Sequence, residues 1–149
     1  MSELADKLKD IIEQYEDNRK AFSNTYSRGS LERNSLLEYQ TKFVSLKADL
    51  RPYMAEITKK NTRYDDKSAT AIKFRIAIAI HEGEYKNEQG ELIYETCSIN
   101  QAEKFASGSQ DYKTFINKRA FYKESYVNLR DIREDINSYI NLIKDLIKN

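Results

Sequence analysis

The sequence predicts an all-α protein, an elongated helical bundle with coiled-coil-like long helices. Three observations carry that prediction. Apolar residues recur at spacings of three and four over long stretches, the period of one helix face. The 149 residues include one Pro and four Gly, so few positions interrupt a helix. Charged residues make up 33%, enough to clothe the outer faces of long solvated helices. The length suits a single domain, and neither a Pro/Gly/Ser-rich linker nor an internal repeat divides the chain. Its expected organisation is a helical hairpin at 4–58, a central helix and polar break at 62–96, a short helix at 98–107 and a long helix at 110–148.

In the first element, Leu4, Leu8, Ile11, Tyr15, Phe22 and Tyr26 fall on one face, with Asn18 and Arg19 interrupting the stripe. Ser2 is a candidate cap, and Glu3 and Asp6 suit the positive end of the helix dipole. Ser27-Arg28-Gly29-Ser30 reads as a stop and restart, with Ser30 capping the next helix. The second element carries Leu36, Tyr39, Phe43, Leu46, Leu50, Tyr53 and Ile57 in alternating three-four spacing, a heptad seam. Pro52 lies within it and predicts a kink near Arg51 or a new helix starting at the proline. The short connection between the two elements predicts an antiparallel hairpin.

Residues 61–80 read two ways. Ala69, Ile72, Ile76 and Ala79 make a helical stripe, whereas Phe74, Ile76, Ile78 and Ile80 alternate as a strand would. Alanines at 71, 77 and 79 favour a helix over 62–81. Asn87-Glu88-Gln89-Gly90 then suits a turn between Tyr85 and Leu92-Ile93-Tyr94, so a loop or small β-hairpin is expected at about 84–96. Ser98 reads as the cap of a short helix with Ala102 and Phe105 inward, closed by Ser107-Gly108-Ser109. From Ser109 or Asp111 the last helix runs to about Lys148. Its seam is Leu129, Ile132, Ile136, Tyr139, Ile143 and Leu146, extended back by sevens to Tyr122 and Phe115 and widened by Ile140 and Ile147. Ile116, Ala120 and Val127 lie roughly opposite, and with Leu142 they form a candidate oligomer or partner face. That second stripe serves either packing within the chain or pairing between chains, and both readings stay open.

Composition excludes several functions. Cys97 is the only cysteine and His81 the only histidine, so neither a disulfide scaffold nor a cysteine/histidine zinc site can be built. No apolar run approaches the roughly 20 residues of a membrane-spanning helix, and the acidic, amphipathic start is unlike a secretory signal, so a cytoplasmic protein is expected. His81-Glu82-Gly83-Glu84 lacks the second histidine of a zincin and reads as a polar helix end. Asp65-Asp66 reads as a helix cap rather than a metal-binding pair. Cys97 reads as a small buried apolar residue. With neither a Walker loop nor a dinucleotide-type glycine pattern, no catalytic residue, metal or cofactor is expected.

A net charge of +1 hides segregation. Residues 1–17 hold six acids and two lysines, and residues 82–103 hold six glutamates and one lysine. Lys59, Lys60, Arg63, Lys67, Lys73 and Arg75 crowd into 59–75 against Asp65 and Asp66. Residues 112–123 interleave Lys113, Lys118, Arg119 and Lys123 with Tyr112 and other rings, and contain no acid. Cations beside exposed rings suit single-stranded nucleic acid, because cations neutralise phosphates and rings stack on bases. The candidate nucleic-acid-binding residues are therefore Lys59, Lys60, Arg63, Lys67, Lys73 and Arg75, with Tyr112, Lys113, Arg119 and Lys123 from the second block. A groove formed by Lys60, Arg63, Lys67, Arg119 and Lys123 is the sharp form of this expectation. The same pattern also fits rings in a core with cations snorkelling over it, or acidic and basic faces meeting in self-association.

From about Leu46 onward the order of elements resembles small helical proteins of tailed-phage recombination modules, in particular UvsY-type recombination mediators. The resemblance rests on the basic stretch Lys59-Lys60-Asn61-Thr62-Arg63-Tyr64 leading into Ala71-Ile72-Lys73-Phe74-Arg75 and on the glycine-containing break at 81–96. It continues through Ser98-Ile99-Asn100-Gln101-Ala102-Glu103 and the terminal helix with Tyr112, Tyr122, Tyr126 and Leu129 leading to Ile143-Lys144-Asp145-Leu146-Ile147. It implies a non-enzymatic homo-oligomer that binds single-stranded DNA, works with a recombinase and acts in the host cytoplasm, with Lys59, Lys60 and Arg63 contacting phosphate. The alternative from the residues alone is a helical protein-interaction module, an assembly adaptor or an inhibitor of a host factor, that binds no nucleic acid.

Overall fold

The computed structural model describes residues 2–29 and 32–148, with Ser2 described by its backbone only. The caps expected at Ser2 and Ser30 lie outside the described residues. The fold is all-α. Five helices and no strand occur among the described residues: α1 Ser2–Ser27, α2 Arg33–Arg63, α3 Asp66–His81, α4 Ile99–Ser107 and α5 Gln110–Lys148. None is long and apolar enough to cross a membrane. The chain forms two compact units, one of Met1–Ile57 with Tyr126–Asn149 and one of Thr58–Ser125.

The first unit is a three-helix assembly of α1, the larger part of α2 and the C-terminal half of α5. The heptad residues predicted for it fill its core: Leu8, Ile11, Tyr15 and Phe22 from α1, Phe43, Leu46 and Leu50 from α2, and Leu129, Ile136 and Ile143 from α5 are all buried. Burying each such side chain contributes about 1.5–3 kcal/mol. Its aromatic centre is Phe43, which is fully buried and stacks face to face on Tyr139 at 5.0 Å. Phe22 sets its edge against Tyr39 at 5.5 Å and Tyr139 at 5.6 Å. Phe22 also meets Phe43, and the Tyr39 hydroxyl lies 2.8 Å from the Thr25 hydroxyl. The end of α1 thus lies against the start of α2, as an antiparallel hairpin requires. Tyr26 departs from its predicted inward position and is 51% exposed, one turn beyond the last buried contact of α1.

No new helix begins at Pro52. Helix α2 passes through it. Proline cannot donate a backbone hydrogen bond, so the Ala48 carbonyl loses its intrahelical partner. Both Ala48 and Pro52 are exposed, and they line an open recess against Lys7, Asp10 and Gln14 of α1.

In the second unit, α3 packs against α4 over Ile76, Ala77, Ile80, Ala102 and Ala106, joined by Tyr85. Alanines at the contact let the two backbones approach, which is why the strand-like alternation of 74–80 resolves as a helix. The Asp65 carboxylate accepts the Ser68 N–H at 2.8 Å and starts α3 as a cap. That bond holds the carboxyl below the usual carboxylate range. Gly83 ends the helix at φ +74°, where a Cβ would also lie 3.0 Å from the Thr96 hydroxyl oxygen. The Ser98 hydroxyl caps α4 by accepting the Gln101 N–H at 3.2 Å. Ser109, 1% exposed, donates to the Ala106 carbonyl and accepts the Tyr112 N–H, turning the chain into α5. Phe105, expected inward, is 37% exposed and stacks on Tyr94 at 5.1 Å. Between α3 and α4 the chain makes no strand, only a single antiparallel bridge between Lys86 and Leu92. The Asn87 side-chain oxygen accepts the N–H groups of Gln89 and Glu91 and holds that turn.

Two predictions follow from the first unit. Phe43→Ala removes the ring at the aromatic centre and should cost about 3–5 kcal/mol of unfolding free energy, read from urea denaturation. Tyr15 is 3% exposed and donates to the Asp135 carboxylate at 3.0 Å. Burial, then that bond, raises its phenol above the ordinary value. A raised value means the neutral form is favoured by folding. The stabilisation is therefore complete below about pH 10 and is lost as pH climbs toward the folded value. Tyr15→Phe should lower stability at neutral pH and flatten the alkaline loss, as measured by thermal melts from pH 8 to 11.

Candidate nucleic-acid interface

All ten residues predicted to contact nucleic acid belong to the second unit. Lys59, Lys60 and Arg63 lie on the last turns of α2, Lys67, Lys73 and Arg75 on α3, and Tyr112, Lys113, Arg119 and Lys123 on α5. Of the ten, Arg63 and Arg75 line a common recess. The Arg119 guanidinium pairs with the Asp66 carboxylate at the start of α3, which neutralises a cation the sequence offered for phosphate. Tyr112 packs against the α3–α4 core, so its ring is half-buried. Lys59, Lys67, Lys113 and Lys123 are exposed, while Lys60 and Lys73 are half-buried.

What the fold does build is a cleft between α3 and α5, floored by the end of α2. Two adjoining recesses, about 350 Å³ each, share Tyr64, Ile72, Arg75 and Phe115. Tyr64 is the pivot. Its ring lies 4.8 Å from Phe115 and 5.2 Å from Tyr122, both buried, while Tyr64 itself is half-exposed. Phe115 and Tyr122 are thus the backing that fixes the Tyr64 ring, and Tyr64 is the ring that faces the opening.

Arg63, Arg75 and Lys118 surround this ring, and none of them is paired with an acid among the described residues. The acid lining the cleft is Asp111, which accepts the Tyr85 hydroxyl at 2.9 Å. Burial, then that bond, raises the Tyr85 phenol above its usual value. Among the described lining residues three cations face one acid, a local excess that the near-zero net charge of the chain conceals. Sequence reasoning named Arg63 and Arg75 as candidates; it noted Lys118 in the basic block of 112–123 but counted neither it nor Tyr64 among the contacts. The heptad phase held the available signal: Lys118 falls three residues after the core position Phe115, on the side of α5 turned toward α3.

The His81 group takes a structural part. His81 Nδ1 lies 2.6 Å from the Cys97 carbonyl oxygen and ties the end of α3 to the chain entering α4. Cys97 is half-buried at the fringe of the α3–α4 core. Among the described residues no group of three or more His, Cys, Asp or Glu side chains could hold a metal ion. Of the predicted partner face, Ile116 and Val127 are half-buried and Ala120 is exposed, while Leu142 is 39% exposed in the first unit. No protein-family profile, curated protein or solved structure matches the chain.

The Arg119–Asp66 pair has an acid that is 87% exposed, so its net contribution is small. Asp66→Asn should leave the unfolding free energy within about 0.5 kcal/mol of the parent in urea titration.

Proposed function

We propose that the chain binds single-stranded nucleic acid in the Tyr64 cleft, as a non-enzymatic, homo-oligomeric single-stranded DNA recombination mediator of phage type working with a recombinase in the host cytoplasm. The observation that carries the binding reading is one half-exposed ring held rigid by two buried rings and surrounded by the cations Arg63, Arg75 and Lys118. A base stacked on Tyr64 would bring its flanking phosphates within reach of those three side chains. Duplex DNA hides its base faces, so the cleft should favour single strands. The mediator role is supported by the resemblance of the sequence from about Leu46 onward to UvsY-type proteins in its order of elements.

The test is fluorescence anisotropy with a labelled single-stranded oligonucleotide at roughly 50 and 200 mM salt, with duplex as competitor. Binding should weaken steeply with salt and prefer the single strand. Arg75→Glu with Lys118→Glu should weaken it at least tenfold and flatten the salt slope by roughly 0.7 per lost phosphate contact. Lys60→Glu with Arg63→Glu should act in the same direction. A flat trace at micromolar protein would refute the reading and leave the protein-interaction alternative in its place.

A further inference from the structure

The first unit carries a second surface with a different chemistry. Between α1 and α5 lies an open groove of about 680 Å³. The two helices run parallel here, since Tyr15 meets Asp135 and, further along both, Phe22 meets Tyr139. Helix α5 turns five successive positions of one stripe into the groove, from Asn128 to Leu142. At 1.5 Å per residue that stripe is about 21 Å long, the length of a helix of about 14 residues. The floor is apolar, with Ile12, Ile132 and a Leu142 that is 39% exposed. Three helices with such a valley leave room for a fourth, as in a four-helix bundle.

The charge on the rim specifies what fits. Glu16, Asp131 and Asp135 line the groove against a single cation, Arg19. The Arg19 guanidinium is held by Glu16 at 2.6 Å, Asp131 lies 3.5 Å from its chain neighbour Arg130, and Asp135 accepts the Tyr15 hydroxyl at 3.0 Å. Asn128 and Ser138 complete the polar rim, so the lining carries three carboxylates and one guanidinium, a net negative charge. An apolar floor under a rim of net negative charge disfavours an acidic helix and favours a basic one.

We propose that the α1–α5 groove is the docking site for a cationic amphipathic helix of a partner protein, about four turns long, with apolar residues inward and Lys or Arg flanking them. This inference is independent of nucleic-acid binding, because the groove lies wholly in the first unit and the Tyr64 cleft wholly in the second.

The probe is a fluorescein-labelled, helix-stapled 14-residue peptide with leucine at heptad core positions and lysine elsewhere. Its counterpart carries glutamate in place of lysine. Anisotropy with the full chain should give saturable binding of the lysine peptide in the micromolar range and at least tenfold weaker binding of the glutamate peptide. The Asp131 carboxylate is 57% exposed and Leu142 is 39% exposed, so Asp131→Lys and Leu142→Ser leave the core intact, which circular dichroism verifies. Each should weaken the lysine peptide at least tenfold. Val44→Ser, on an exposed face of α2, and Lys118→Glu should not change it. No saturable binding, equal binding of both peptides, or binding untouched by Asp131→Lys and Leu142→Ser would overturn the proposal. So would self-association in sedimentation velocity that Asp131→Lys abolishes, because a second copy would then occupy the groove.

Discussion

The structure depends on one apolar stripe of α5. Phe115, Tyr122, Leu129, Ile136 and Ile143 stand at intervals of seven and are all buried. The last three fill the core of the first unit, and the first two back the Tyr64 ring of the second. A seven-residue interval keeps side chains close to one face of a helix, with a drift of only about 20° per step. One long helix can therefore serve both units without changing the chemistry of its inner face. The outer faces are then free to differ, and it is there that the two candidate sites diverge.

The two units place opposite charges beside similar apolar surfaces. In the second, Arg63, Arg75 and Lys118 flank an aromatic ring. In the first, Asp131 and Asp135 flank aliphatic side chains. A ring between unpaired cations suits the flat face of a base and the charge of a phosphate. An aliphatic floor between carboxylates suits an amphipathic cationic helix. Net charge sums these surfaces to nearly zero and hides both, because binding responds to the local field rather than to the total.

Much of this architecture was legible from periodicity and capping chemistry. The heptad seams of α2 and α5, the Asp65 and Ser98 caps and the Asn87–Gly90 turn follow from interactions within a few residues along the chain. The failures have equally local causes. Pro52 raised the expectation of a kink or a new helix, and no new helix starts there, because α2 runs through it at a position where both Ala48 and Pro52 are exposed. Phe105 looked like core because it lies three residues after Ala102, yet on this nine-residue helix the inward positions are Ala102 and Ala106, and the ring turns outward, where it stacks on Tyr94.

The sequence by itself determined the fold class, the helix seams and the segregation of charge, because each is encoded at helical spacing or in blocks along the chain. The tertiary structure decided which charges stay free. Arg119 and Arg75 look equivalent in the sequence, but folding sets Asp66 beside the first and leaves the second facing a cleft with Lys118. Tyr64 and Tyr112 look equivalent too, yet one ring faces the opening and the other packs against the α3–α4 core. Such partners are distant in sequence. Only the packing of helices in three dimensions sets which residues meet, and hence which side chains remain to bind anything else.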